Sequence, residues 1–148
     1  MTRENILAEI QKAQDSHNDQ IQKIEELFNG NEVDKPTEKD KTKCDFGLWL
    51  YSPENRIKEL LGYEMYDNLL KYHDEWHLDY HEIYEAFYNK PEQNIIEKVL
   101  RVQKGMDPVT LQMSNFYHRE IIVASCRLIW HLDECKKQIL SLDDSKFN

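Results

Sequence analysis

Apolar side chains recur every three or four positions along most of the chain, which is the spacing that places them on one face of an α-helix. The first such stripe predicts a helix from about Arg3 to Phe28, and a histidine, His17, lies among its aliphatic residues. The Asn29-Gly30 pair ends this helix and begins a charged loop. No segment alternates apolar and polar residues as a β-strand would, so the sequence predicts an all-α fold.

Further helices follow the charged loop. The predicted elements are a short cysteine-bearing helix or knot in "CDFGLWL" from Cys44, a brief helix from Pro53 to Leu61 with Ser52 as N-cap, a long helix from about Glu64 to Asn89, a helix from Pro91 to about Lys104, and a long C-terminal helix from Pro108 to about Leu142. We therefore predict a four-helix-type bundle that forms one domain, residues 1–148, with a frayed tail from about residue 143.

Composition narrows the class of protein. The 148 residues are 40% hydrophobic and 32% charged, which is typical of one globular domain. The net charge of −9 disfavours a nucleic-acid partner, because phosphates repel such a surface. The chain shows no apolar run of the length of a membrane span and no signal-peptide pattern. We expect a cytoplasmic protein without a membrane or nucleic-acid partner.

The three cysteines, Cys44, Cys126 and Cys135, are too few for a disulfide scaffold. In a reducing compartment, each is a small buried side chain, a metal ligand or a reactive thiol. Around Cys44, Gly47 allows close approach of backbone, and Phe46 and Trp49 supply apolar cover. Such a neighbourhood fits a metal ligand or an ordinary aromatic packing element.

Histidine spacing points to metal binding. His73, His77 and His81 follow one another at intervals of four, so each neighbouring pair shares a helix face and can chelate one ion. His73 and His77 continue the apolar stripe of their helix, whereas His81 falls near its edge. We therefore favour His73 and His77 as ligands.

His17 and Cys44 complete a candidate zinc site with these two histidines. Three imidazoles and one thiolate form a tetrahedral set, with Zn–N distances of about 2.0–2.1 Å and a Zn–S distance of about 2.3 Å. Four protein ligands leave no open position for a catalytic water. The prediction is a binding or sensory protein and not an enzyme.

The motifs "DSHNDQ", "CDFGLWL" and "YDNLLKYHDEWH" together resemble the bacterial chemoreceptor zinc-binding (CZB) domain family. The resemblance implies that His17, Cys44, His73 and His77 are the zinc ligands, with Trp76 in the apolar position before the last of them. It also implies a homodimeric regulatory domain that senses zinc or oxidants such as hypochlorous acid. The partners it implies are a chemoreceptor or a diguanylate cyclase; this chain carries neither unit, so the partner is expected in trans.

Two other functions remain open at this point. A hemerythrin-like di-iron protein shares the helical bundle and the abundant histidines, and His81 with Glu85 supplies one of the ligand pairs that such a site uses. A zinc hydrolase would use three histidines and a bound water, with Glu75 as general base. A second metal site near His118, His131, Cys126 and Cys135 is weaker, and we interpret those residues as core and boundary positions.

Overall fold

The computed structural model of the protein describes residues 2–31, 33–34, 37–87 and 108–147. It contains α1 (Arg3–Phe28), α2 (Asp45–Leu50), α3 (Ile57–Leu61), α4 (Tyr63–Phe87), α5 (Pro108–Ser141) and a final 3₁₀ helix (Asp144–Phe147). No strand occurs in these ranges, and the prediction of an all-α helical bundle is confirmed. The helix predicted from Pro91 to about Lys104 lies outside the described residues.

The long helix α5 packs along both α4 and α1. Its buried stripe meets the stripes of the other two helices in one continuous core. The fully buried apolar side chains at the centre of this core include Ile6, Ile10, Leu69, Trp76, Ile121, Leu128 and Leu132. Their spacing of four or seven in each helix is the pattern seen in the sequence.

The predicted start of α3 is wrong. Residues 51–56 form turns, and the helix begins at Ile57 instead of Pro53. The side chain of Asn55 accounts for this: its amide nitrogen donates to the carbonyl oxygens of Trp49 and Leu50 at the end of α2, and its oxygen accepts from the Ile57 N–H. One side chain thus satisfies backbone groups at the ends of both short helices.

The two ends of the described chain are held together. We predicted a frayed tail from about residue 143; in the structure Asp144–Phe147 form a largely exposed 3₁₀ helix next to the start of α1. Arg3 pairs with Asp144 at 2.6 Å, donates to the Leu142 carbonyl, and lies 4.8 Å from the ring centre of Phe147. This contact fixes the position of the tail relative to the bundle.

None of the helices in the described part of the chain has the length and apolar character needed to cross a bilayer.

One buried polar contact links α4 to α5, where the indole N–H of Trp76 donates to the hydroxyl of Ser125 at 2.7 Å. Because both groups are buried, this bond fixes the rotation of Trp76 next to the histidines of α4.

Candidate metal centre

Three imidazoles meet between α1 and α4. One ring nitrogen from each of His17, His73 and His77 lies within 4.8 Å of the other two. All three side chains are buried, with at most 4% of their surface exposed. Within the described ranges, this is the cluster of three potential ligands whose spacing suits a metal ion.

Backbone carbonyls set the orientation of two of these rings. His17 Nδ1 lies 2.7 Å from the Ala13 carbonyl oxygen, and His77 Nδ1 lies 3.0 Å from that of Lys39. A carbonyl only accepts, so Nδ1 carries the proton in both rings and Nε2 keeps its lone pair. This is the arrangement that metal-binding histidines commonly use.

Cys44 reaches the cluster from the start of α2. It is the N-cap of that helix, and its sulfur accepts a hydrogen bond from the Gly47 N–H at 3.1 Å. The same sulfur lies 3.3 Å from His73 Nε2. A distance of about 3.3–3.7 Å separates two ligand atoms on one tetrahedral zinc, given the usual bond lengths. The sulfur and the His73 ring are therefore spaced as neighbouring ligands would be.

Gly47 is required by the tight turn that carries Cys44. A Cβ atom at this position would lie 1.7 Å from the Lys41 carbonyl oxygen and 3.2 Å from the Cys44 sulfur. Any side chain would therefore displace the backbone next to the thiol. The role that the sequence suggested for this glycine, to allow a close backbone approach, is confirmed.

Aromatic rings enclose the cluster. Phe46 meets His73 edge-on at 5.0 Å between ring centres, and Trp76 meets His17 at 4.7 Å. Both aromatic side chains are buried, and Trp49 stacks on Phe46 from outside. This apolar surround excludes water and strengthens electrostatic interactions inside it.

Residues 37–43, here called the strap, cross α4 beside the cluster. The Thr37 carbonyl accepts from the Tyr80 hydroxyl at 3.2 Å, and the Lys39 carbonyl accepts from His77 as described. Two ion pairs, Lys39 with Glu85 and Lys41 with Asp74, flank these bonds. Each pair is partly exposed and contributes little alone, but together the contacts hold the loop that leads to Cys44.

The residues present fit a single metal ion. A cavity of about 10 Å³ lies between α1, α2 and α4, and its lining includes His17, Cys44 and His77. Two buried nitrogens at the cluster, His73 Nδ1 and His77 Nε2, have no hydrogen-bond partner. Unpaired buried nitrogens are costly. A metal ion would satisfy His77 Nε2, because Nδ1 of that ring carries the proton. His73 faces the Cys44 sulfur through Nε2, so its Nδ1 would remain the protonated nitrogen.

Burial keeps the imidazoles neutral. It lowers the pKa of His17 to about 4, that of His77 to about 4 and that of His73 to about 2. The neighbouring imidazoles lower the pKa of His73 further. Neutral rings at pH 7 are the form that binds metal, so no proton has to leave them first.

The thiol of Cys44 behaves in the opposite way. Burial raises its pKa above the ordinary value, and the nearby carboxylates of Asp45 and Asp40 act in the same direction. Without a cation, the sulfur is therefore protonated at pH 7. A metal ion that binds here must displace this proton, so its uptake releases about one proton per site.

The structure separates the cluster from the other candidate residues. His81 is exposed and does not belong to the cluster. His118 pairs with Glu25, and His131 bonds to the Met65 carbonyl oxygen. Glu75, the general base of the hydrolase hypothesis, pairs with Arg127 of α5 at 3.6 Å.

Sequence reasoning missed the strap. Its lysines stood in a charged loop, and nothing in their spacing indicated that their carbonyls and ammonium groups contact α4. The acidic residues Asp74 and Glu85 on α4 were the available signal, since they offer partners of opposite charge to the lysines of this loop. The carbonyl of Ala13 could have been predicted from the helix itself, because it lies one turn before His17.

Comparison with protein families gives one finding. Residues 17–84 match the family model described as the chemoreceptor zinc-binding domain. The match covers a little under half of the chain, includes all four candidate ligands, and confirms the resemblance over that segment. Searches of curated proteins and of solved structures found no significant match.

The depressed pKa values predict an acid-sensitive metal-free fold. As pH falls below about 6.5, the three histidines become protonated in the unfolded chain, whereas in the folded protein they stay neutral until about pH 4 or lower. The free energy of unfolding is therefore highest above pH 6.5. Below that pH it falls by up to about 1.4 kcal/mol per pH unit for each imidazole. Urea unfolding of chelator-treated protein at pH 7.5, 6 and 5 measures this slope.

His81→Gln is the matched control for this measurement, because His81 is an exposed histidine on the same helix. It should keep the wild-type slope, whereas His17→Gln should flatten it. A wild-type stability that stays constant from pH 7.5 to 5 contradicts the prediction.

Gly47→Ala should weaken zinc binding through the position of the thiol. The new Cβ would overlap the Lys41 carbonyl and push the Cys44 turn away from the histidines. Gly62→Ala is the control: Gly62 has φ of +80° and no atom within 4 Å of the place where a Cβ would lie, so its cost of about 1–3 kcal/mol is backbone strain alone. Competition titration should show lower zinc affinity only in Gly47→Ala, and equal affinities would contradict this role.

Proposed function

Since residues 17–84 match the chemoreceptor zinc-binding domain, we propose that this chain is a zinc-binding regulatory module. In this proposal His17, Cys44, His73 and His77 hold one zinc ion. The module acts as a sensor and not as an enzyme, since four protein ligands leave no position on the ion for a substrate water.

The observation that carries the proposal is the buried cluster itself. One ring nitrogen from each of His17, His73 and His77 lies within 4.8 Å of the other two. The Cys44 sulfur lies 3.3 Å from His73 Nε2, and the buried His77 Nε2 has no hydrogen-bond partner. A protein core does not normally keep such groups unless something compensates them. Nitrogen and sulfur donors in this combination favour zinc over magnesium or calcium, which prefer oxygen.

The chain's own residues define what binding does. His17 belongs to α1, His73 and His77 belong to α4, and Cys44 begins α2. Bound zinc would supply a positive charge that stabilises the thiolate. The same four side chains would then connect three elements that lie far apart in the sequence, so occupancy of the site is coupled to helix packing.

Oxidant sensing is the second part of the proposal, and Cys44 carries it. A thiolate is the oxidisable form of cysteine. Hypochlorous acid converts it to a sulfenic acid and is itself reduced to chloride, which removes the thiolate donor from the set. The remaining three imidazoles hold the ion less tightly, so oxidation and zinc loss are linked.

The proposed partners are those that the resemblance to the chemoreceptor zinc-binding domain implies. We infer a homodimer that regulates a chemoreceptor or a diguanylate cyclase from the cytoplasm, where a reducing environment keeps the Cys44 thiol available. Neither a nucleic acid nor a membrane surface is part of the proposal, because the chain carries a net charge of −9.

Metal analysis of the purified protein tests the zinc site. We expect one zinc per chain by mass spectrometry under native conditions. His17→Gln, Cys44→Ser, His73→Gln and His77→Gln should each lower affinity by more than the roughly 10–100-fold that loss of an outer hydrogen-bond partner costs. His81→Gln and Cys126→Ser are matched controls, and both should bind zinc like the wild type.

Three results would overturn this assignment. Two irons per chain with a visible absorption band would support the di-iron alternative. Full zinc affinity in Cys44→Ser would remove the thiol from the site. A protein that stays free of zinc at pH 7.5 with zinc supplied would end the proposal.

Oxidant sensing has its own measurement. Zinc-loaded protein should release its metal on treatment with about one equivalent of hypochlorous acid, as followed with a chromogenic chelator. Peptide mass spectrometry should locate the oxidation at Cys44. Cys126→Ser removes an exposed thiol and should respond like the wild type; release that depends on Cys126 would contradict the role of Cys44.

A further inference from the structure

One face of α5 points away from the core and carries large apolar side chains at intervals of seven. Phe116, Val123 and Trp130 are 49%, 44% and 62% exposed. An interval of seven residues is the repeat with which two helices keep a common seam. Single exposed apolar residues are ordinary, but three in this register form a continuous stripe.

Two opposite charges lie in the same stripe. Glu120 and Arg127 are exposed and stand three residues before and four residues after Val123. We call Phe116, Glu120, Val123, Arg127 and Trp130 the α5 stripe. Its pattern is self-complementary: read from either end, it has an aromatic residue, a charged residue, Val123, a charged residue and an aromatic residue.

The neighbouring surface of α4 extends the stripe. A groove of about 200 Å³ lies between α4 and α5, and it is lined by Leu78 and Asp79 as well as by Glu120, Val123 and Arg127. Leu78 is 63% exposed. Burial raises the pKa of Asp79, and the nearby Glu120 and Glu75 raise it further. The groove thus combines apolar surface with three carboxylates and one cation, Arg127, so a second copy fits it only where the partner's Arg127 meets a carboxylate.

We propose that the α5 stripe is the surface through which two copies of this chain associate, with their α5 helices antiparallel across a two-fold axis near Val123. In this arrangement Glu120 of each copy faces Arg127 of the other. Phe116 of each copy lies against Trp130 of the other, and the two Val123 side chains meet at the axis.

Charge and symmetry favour a second copy of the chain as the partner of the α5 stripe. A two-fold interface needs one surface that complements itself, and the α5 stripe does so only in the antiparallel direction. A parallel pairing would place Glu120 against Glu120 and Arg127 against Arg127, which is repulsive. Trp and Arg are also the residue types that most often dominate binding energy at interfaces.

The surface is separate from the metal centre. α1 contacts the opposite flank of α5, as shown by the bonds from Gln14 to the Ile129 carbonyl and from Lys136 to Gln11. The pairing specifies the dimer of the proposed function but uses none of its zinc ligands. Zinc content and molecular mass therefore test the two proposals independently.

Charge reversal tests the arrangement. Sedimentation analysis should give a dimer of 17.8 kDa chains for the wild type. Glu120→Arg places two arginines opposite each other and Arg127→Glu places two glutamates opposite each other, so each should raise the dimer dissociation constant by more than about tenfold. The double variant restores opposite charges and should recover most of the lost affinity.

Two further variants sharpen the test. Trp130→Glu should give a monomer, whereas Leu140→Glu, which alters another exposed apolar residue of α5 outside the stripe, should leave the dimer intact. Circular dichroism and zinc content should match the wild type in all variants, because the changed side chains are exposed and the ion pair with Glu75 that Arg127→Glu removes is itself partly exposed.

A wild-type protein that stays monomeric at all concentrations overturns the proposal. This is the result expected if another segment of the chain or a different protein covers the α5 stripe. A dimer that survives Trp130→Glu and both single reversals also overturns it, since the interface then lies elsewhere. Single reversals that weaken the dimer without recovery in the double variant exclude the antiparallel pairing.

Discussion

The structure depends on the burial of three imidazoles and a thiol between helices that the rest of the chain holds in place. His17, His73 and His77 are almost fully removed from water, and His73 Nε2 lies 3.3 Å from the sulfur of Cys44. Polar groups in an apolar surround cost several kcal/mol when they lack partners. Such a site persists because packing of the apolar core around it stabilises the fold by more than the burial of these polar groups costs. A bound cation would supply the partner that they lack.

The helix that supplies no ligand has a central structural role. α5 packs against α1 and against α4, so it sets the relative position of the two helices that carry histidines. Ser125 on α5 fixes Trp76, which in turn packs against His17. A change in how α5 packs would therefore alter the spacing of the imidazoles. Conversely, a change in the positions of the imidazoles would alter the packing of α5.

Much of the site could be predicted from sequence, because helical periodicity alone places His73 and His77 on one buried face and His17 on another. The start of α3 could not, since the Ser52-Pro53 signal is local and the amide of Asn55 instead bonds to the end of α2. The strap was also missed, because its bonds join loop carbonyls to side chains about 40 positions away. Such contacts depend on tertiary folding and leave no periodic pattern.

The two rings with assigned tautomers, His17 and His77, are oriented by main-chain oxygen atoms of Ala13 and Lys39. Every amino acid provides that oxygen, so these contacts do not themselves depend on the side chains of Ala13 and Lys39. Those side chains are constrained in other ways, since Ala13 is buried in the core and Lys39 pairs with Glu85. The orientation of both rings is therefore set by the path of the backbone, and a substitution at either position changes it only by moving that path.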